Sequence, residues 1–251
     1  IFNPLWSQIL EKLDCDFYHL PKYLSIEAKR IGAILEAFLA VDGEKIFFVP
    51  YLLRKCDESI LSSAIANNFF DVISPYGYPG FLYNQEAASD PSFLKAIADE
   101  LVFAFSSKNI CSAFFRLHPI LNRDVLDIFP ADTFNFTENG ETVAVDLSLS
   151  EDRIWTNTRS THRNTIYRCK RNGMIPKIVD ARQYLSEFMA IYRENLDRLA
   201  AKSSYYFDLD YYLNLLKLEK KVHLSIVELE GRVIAGSLLL EHDGIVQYHL
   251  S

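Results

Sequence analysis

The chain is poor in the residues that build metal sites and disulfide frameworks. Its four cysteines, Cys15, Cys56, Cys111 and Cys169, are scattered through 251 residues, with no CxxC pair and no histidine pattern beside them. That spacing argues against a zinc site and against a disulfide scaffold, and it makes the reducing cytosol the simplest compartment. Long apolar runs are also missing. The best candidates, such as Ile31 to Ala40, are broken by Glu36, so no stretch has the length of a bilayer-spanning helix. The first residues lack the basic-then-apolar layout of a signal peptide. Residue 1 is isoleucine, so a start residue, and with it an upstream segment, is expected. No GxGxxG or Walker-type glycine loop occurs. Positive charge is in the minority: 26 Lys and Arg stand against 33 Asp and Glu, a net charge of −7. That balance excludes the broad basic surface that general nucleic-acid coating needs, although a local basic groove stays open.

What is plentiful is apolar and aromatic. Hydrophobic residues make up 49% of the chain, with 18 Phe and 14 Tyr, enough for sizeable cores and unlike a disordered composition. The length is comfortable for two cores.

Helical spacing of Leu5, Ile9, Leu10 and Leu13 predicts a short helix within 3–13, and Pro21 can open another over 22–30. Two strands, 32–41 and 45–55, flank Asp42-Gly43, a strong hairpin signal, and Pro50 implies an edge or a bulge. Residues 71–82, DVISPYGYPGFL, read as a loop held open by Pro and Gly. An amphipathic helix is predicted over 92–106, a strand over 109–118 and a short strand over 142–147. After Gly173 the order is strand 175–179, helix 181–199, a tyrosine-rich turn 202–208 and helix 209–218. Three strands follow, 221–230, 232–241 and 245–250, joined at Glu230-Gly231 and Asp243-Gly244. Helices followed by an antiparallel meander occur twice. The expectation is an α+β protein of two units, 1–148 and 149–251, with mixed or antiparallel sheets flanked by helices.

Against the acidic background one stretch is cationic. Ser150 to Gly173 carries Arg153, Arg159, Arg163, Arg168, Lys170 and Arg171, and its only acids are Glu151 and Asp152 in the first turn. Ser150 suits an N-cap, the two acids suit the positive end of the dipole, and Gly173 suits the left-handed stop. As one helix, it gathers Ile154, Trp155, Thr158, His162, Ile166 and Cys169 on a face expected to be buried. Arg159, Arg163 and Lys170 then border that face, with Tyr167 just beyond, while Arg153, Arg168 and Arg171 point away. Arginines at i and i+4 beside an apolar face suit a phosphate or carboxylate. Ordinary solvated charges would give the same pattern.

The ordered set DFYHLPKY, SPYGYPG, FFRLHP, VAVDLS, RSTHRNTIYRCKRNG, IYRENLDRL and VELEGRVIAGSLLLEHDGIVQYHLS resembles the FemABX-like branch of the GNAT acyltransferase superfamily. That branch includes aminoacyltransferases that build peptidoglycan cross-bridges. The resemblance implies two GNAT-like units, and an acyltransferase moving an acetyl or aminoacyl group onto an amine of a cell-envelope or polysaccharide precursor. The donor would be acyl-CoA or aminoacyl-tRNA, with no metal, and the place of action the cytoplasm or the inner membrane surface. In the superfamily a phosphate-cradling loop and helix follow the last meander strand. Here the chain ends at Ser251, so the second unit is expected to be truncated.

By the resemblance, Arg159, Arg163 and Tyr167 face an anionic acceptor such as a nucleotide-linked or lipid-linked sugar. Tyr76, Tyr78, Tyr205 and Tyr206 would stack on sugar or peptide. His19 and His118 rank third, and a lone histidine such as His118 is more often a core residue. No base is singled out among Asp146, Glu228, Glu241, His242 and His249. Two other classes fit the residues: an inactive scaffold acting through protein partners, and a tRNA-binding module using the basic helix.

Overall fold

A computed structural model describes residues 3–56, 68–129 and 134–251. The chain is α+β and divides into two compact units, Ile1–Thr137 with Glu241–Ile245, and Glu138–Leu240 with Val246–Ser251. The division falls at Thr137/Glu138, ahead of the 148/149 boundary expected from sequence.

In the first unit, helices α1 (Pro4–Leu10) and α2 (Pro21–Ile31) precede the hairpin β1 (Ile34–Asp42) and β2 (Lys45–Lys55). Pro21 opens α2 and Gly32, at φ +67°, closes it, the expected asymmetry of helix ends. Then come β3 (Phe70–Ile73), β4 (Leu82–Tyr83), α3 (Gln85–Ala88), α4 (Pro91–Ser107), β5 (Ile110–Phe114) and α5 (Val125–Ile128). The sheet order is β1-β2-β3-β5, with β4 also pairing β2. Pairing is antiparallel except for the parallel β3–β5 pair.

Strand β2 is the centre of this unit. Residues Ile46 to Leu53 are all buried, which requires cover on both faces. Phe47, Val49, Tyr51 and Leu53 point into a core with Leu94, Ile97, Leu101 and Phe105 of α4. Ile46 and Phe48 point the other way, to Ile9, Leu10 and Leu13. Pro50 therefore sits in an inner strand rather than an edge. It lies between the pairing of β2 with β4 at 47–48 and with β3 at 52–55, where the second ladder is interrupted.

The second unit holds α6 (Glu151–Asn157), α7 (Ser160–Arg171), β6 (Ile175–Val179), α8 (Leu185–Arg198), α9 (Leu209–Leu215), β7 (Val222–Leu229) and all but the facing ends of β8 (Arg232–His242) and β9 (Ile245–Leu250). Its sheet runs β6-β7-β8-β9. Phe188 of α8 packs over Gly236 so closely that a Cβ there would lie 2.8 Å from its ring. On the same sheet face Leu224 pairs Leu238 and Val222 pairs Leu240, and all four are buried. Both meander turns take positive φ at two successive residues, Glu230–Gly231 and Asp243–Gly244, which the right-handed twist of the flanking strands favours.

Four expectations are corrected. The strand predicted over 142–147 does not form: those residues have no ladder, and Val143 is 88% exposed. Alternation gives strand propensity, but a strand needs a partner to hold it. The predicted loop 71–82 begins as β3 and ends as β4, leaving 74–81 as the loop. The tight turn of the first hairpin is Gly43-Glu44 rather than Asp42-Gly43, because Asp42 already pairs Lys45. Lastly, the cationic stretch is two helices, broken at Thr158 and Arg159, whose ψ angles are 131° and 139°.

Candidate functional site

The break in the cationic stretch changes what its arginines do. Ser150 caps α6 and two acids occupy its first turn, as the sequence suggests. At the other end of α6 the carbonyls need donors, and Arg163 supplies them. Its Nη1 donates to the carbonyls of Trp155, Thr156 and Thr158 at 3.2, 2.9 and 2.6 Å. Trp155 meets Tyr167 edge-on, with ring centroids 5.3 Å apart. Those contacts close α6 and α7 into a hairpin. Helix α7 ends in a Schellman motif: Gly173, at φ +78°, donates to Lys170 O, and Met174 N donates to Cys169 O.

Neither α6 nor α7 contains a buried residue, so the face expected to be buried is not. Arg159 is exposed at the break, and Tyr167 is 51% exposed. Asn164, Tyr167, Lys170 and Arg171 line a shallow, open depression on α7. Arg171, expected to point away into solvent, lies one turn beyond Tyr167 and shares this surface. The i, i+3, i+7 relation of 164, 167 and 171 is visible in the sequence. Arg163 is thus engaged in holding the hairpin, while Lys170 and Arg171 are the cations grouped with Tyr167.

Replacing Arg163 by alanine is expected to cost about 1–2 kcal/mol, the scale of charge-assisted bonds to half-exposed carbonyls. Trypsin should then cleave faster after Arg159. An unchanged cleavage rate would show that the hairpin closes without Arg163.

Tyr205 and Tyr206 belong to a different part of the second unit. Tyr192 of α8 donates to Tyr205 O at 3.1 Å, and Tyr206 donates to Asp197 at 2.8 Å, which raises the Tyr206 phenol above its ordinary range. Both rings are partly exposed, at 43% and 36%. Among the residues weighed as bases, Glu228 is paired with Lys177, and Asp146 accepts from Ser148 N and Oγ. His249 is buried and bonded to Tyr211 Oη at 2.8 Å.

In the first unit the remaining candidates converge on loop 74–81. His118 Nδ1 accepts the N–H groups of Ile120 and Leu121 at 3.1 and 3.0 Å. Its Nε2–H therefore donates to Asp16 Oδ2, 3.1 Å away. His19 Nε2 donates to Pro79 O at 2.5 Å, and its Nδ1 accepts from Asp16 N at 2.9 Å while lying 2.8 Å from Asp16 Oδ1. Asp16, His19 and His118 are all fully or nearly fully buried. Burial alone would push the Asp16 carboxyl up. The hydrogen bond donated by His118 and the close contact with His19 overcome it, so Asp16 is held well below the usual carboxylate range.

The rest of the loop is tied as firmly. Tyr23 Oη donates to Tyr76 O, and Tyr76 N donates to buried Glu27, which also pairs with Arg30. Arg116 Nη1 donates to Gly77 O, and Asn122 exchanges bonds with both backbone groups of Phe81. His19 and His118 are therefore part of the loop's foundation. Tyr76 is half-buried and Tyr78 is 43% exposed, so Tyr78 is the ring the loop presents. Sequence reasoning missed Asp16 and Asn122, whose importance rests on partners far along the chain. Among the described residues no group of three or more His, Cys, Asp or Glu could hold a metal ion, and no helix is long and apolar enough to cross a membrane.

No protein-family profile matches the chain, and no curated protein matches it. Solved structures do. FemX superposes with a TM-score of 0.60 at 13% identity, covering 91% of this chain and 57% of FemX. The C-terminal domain of a protein assigned as a lysylphosphatidylglycerol synthetase from Agrobacterium fabrum superposes with a TM-score of 0.51 at 12% identity, covering 94% of this chain and 64% of that one. The chain thus has a FemX-like fold, in agreement with the resemblance in its motifs, and spans less than two thirds of either structure.

Proposed function

We propose that this chain is part of an acyltransferase that moves an acetyl or aminoacyl group onto an amine of a cell-envelope or polysaccharide precursor. The observation that carries the proposal is the FemX-like fold over 91% of the chain, matched to an ordered series of motifs that points the same way. In this reading each unit is a GNAT-like half, and the donor is acyl-CoA or aminoacyl-tRNA. Backbone N–H groups beside the meander stabilise the oxyanion, and no covalent enzyme intermediate forms.

The cations at Lys170 and Arg171, beside Tyr167, are the favoured contact for a diphosphate-linked or lipid-linked acceptor at the inner membrane surface. Arg159, Tyr78, Tyr205 and Tyr206 are exposed or half-exposed and remain available to ligands. The exposure of most of α7 favours a second assignment for that helix, contact with the backbone of aminoacyl-tRNA, where basic side chains meet phosphates and Tyr167 stacks on a base.

Thermal shifts with acetyl-CoA, longer acyl-CoAs, UDP-sugars and aminoacyl-tRNA separate these assignments. The double variant Lys170→Ala with Arg171→Ala should keep its melting temperature and lose about tenfold or more in affinity for whichever ligand binds, the scale of lost charged contacts. A steep salt dependence marks tRNA. Unchanged affinity in the double variant would remove α7 from the site.

A further inference from the structure

Two of the four scattered cysteines meet in space. Cys56 follows the last residue of β2, and Cys111 lies in β5, with β3 between the two strands. Strands two apart in a regular sheet are about 9–10 Å apart, beyond the reach of a disulfide. Here the two Sγ atoms are 3.5 Å apart.

The reason is a local irregularity. Lys55 pairs Phe70, and Cys56 N continues the ladder by donating to Phe69 O at 3.1 Å. On the other side of β3, Phe70 pairs Ile110 but Asp71 pairs Ser112, so Cys111 is the extra residue of a bulge. A bulge re-aims the side chain it carries. The Cys111 thiol turns over the start of β3, where it lies 3.3 Å from Phe70 O as well as against Cys56. Cys111 is exposed and Cys56 partly so, whereas Cys15 is buried. Burial first, then the bond from Cys111, pushes the Cys56 thiol up to about 11, which keeps that sulfur in the thiol form at neutral pH.

We propose that Cys56 and Cys111 form a reversible dithiol–disulfide site, oxidised by peroxide. The exposed Cys111 sulfur attacks the peroxide, giving a sulfenic acid and one water. The Cys56 sulfur then displaces the sulfenic hydroxyl, forming the S–S bond and releasing a second water. Two thiols have lost two electrons and one peroxide has gained them. The bond closes the chain between residues 56 and 111, a loop that contains β3, β4, α4 and the segment 74–81. A cross-link of that length removes entropy from the unfolded chain, so the oxidised form is the more stable one. A dithiol of this kind suits a reducing compartment in which disulfides are transient. The proposal is independent of the acyltransferase assignment.

The test is hydrogen peroxide on the whole chain, followed by peptide mapping without reduction. Two of the four free thiols should disappear, a 56–111 cross-linked peptide should form, and dithiothreitol should reverse both. Melting temperature should rise by about 5 °C or more on oxidation. Cys56→Ser should abolish the cross-link and leave a sulfenic acid on Cys111 that dimedone traps. Cys111→Ser should abolish both. The proposal is overturned if peroxide takes Cys111 to sulfinic acid, or joins two chains through it, with no 56–111 peptide.

Discussion

Asparagine in place of Asp16 is expected to destabilise the first unit by on the order of 3–5 kcal/mol, the cost of removing one member of a fully buried charged group. The carboxylate is an acceptor on both sides: Oδ1 takes the N–H of Tyr18 at 2.9 Å and Oδ2 takes Nε2–H of His118 at 3.1 Å. Neither donor can turn away. Tyr18 N belongs to the backbone, and the His118 tautomer is set by the two N–H groups on its Nδ1. An amide has one oxygen, so one of these donors must face an NH2 group with no water to replace it. The change also alters the response to acid. Asp16 is held below its unfolded value near ~3.9 by His118 and His19, against the opposing effect of burial. Its stabilisation is therefore fully present above about pH 4, and it is lost as pH falls from there toward the folded-state pKa, because the unfolded chain takes up the proton first. Urea midpoints at neutral pH and through the acid range check both parts. The wild type should lose more stability on acidification than Asp16→Asn. Parallel acid limbs would show that the buried carboxylate is not a source of the pH dependence.

Gly80→Ala is expected to cost about 3 kcal/mol or more, through two separate effects. Gly80 sits at φ +58°, where an alanine costs about 1 kcal/mol. A Cβ there would also run into Asn122 Oδ1 and lie 2.7 Å from His118 N. Asn122 is 5% exposed, and that oxygen accepts the N–H groups of Phe81 and His118 at 3.1 and 2.9 Å. Displacing it strands buried donors at about 1–3 kcal/mol each. Gly43 is the natural control. Its φ is +59°, yet no atom lies within 4 Å of its Cβ position, so Gly43→Ala carries the conformational cost alone. Equal losses at the two positions, measured by urea unfolding, would eliminate the close approach as a cause.

Much of the architecture was legible because it is written in short-range chemistry. Pro21 opens α2, Ser150 and Gly173 bound the cationic stretch, and Glu230-Gly231 makes the tight turn its dipeptide predicts, whereas Gly32, read as the start of a strand, closes α2. The near-continuous apolar run of β2 reflects cover on both faces, and helix 92–106 differs from α4 by one residue at each end. The site was less legible. A helical wheel drawn through Ser150–Gly173 assumes unbroken geometry, and the break at Thr158–Arg159 turns Arg163 back onto the carbonyls of α6. Loop tyrosines two residues apart looked equivalent, but the backbone of Tyr76 is tied to Tyr23 and Glu27 while the ring of Tyr78 stands exposed.

The sequence by itself determined the α+β class, most of the caps and turns, and the order of motifs that links the chain to a FemX-like fold. Each depends on neighbours a few residues away, whose sterics and hydrogen bonds are the same in any context. Tertiary structure alone decided which polar groups serve the fold and which face outward. His118 reaches Asp16 across 102 residues, and Cys56 reaches Cys111 across 55. Whether a histidine is a foundation or a ligand, and whether a cysteine stands alone, is settled by such meetings. They depend on the path of the whole chain, which no local pattern records.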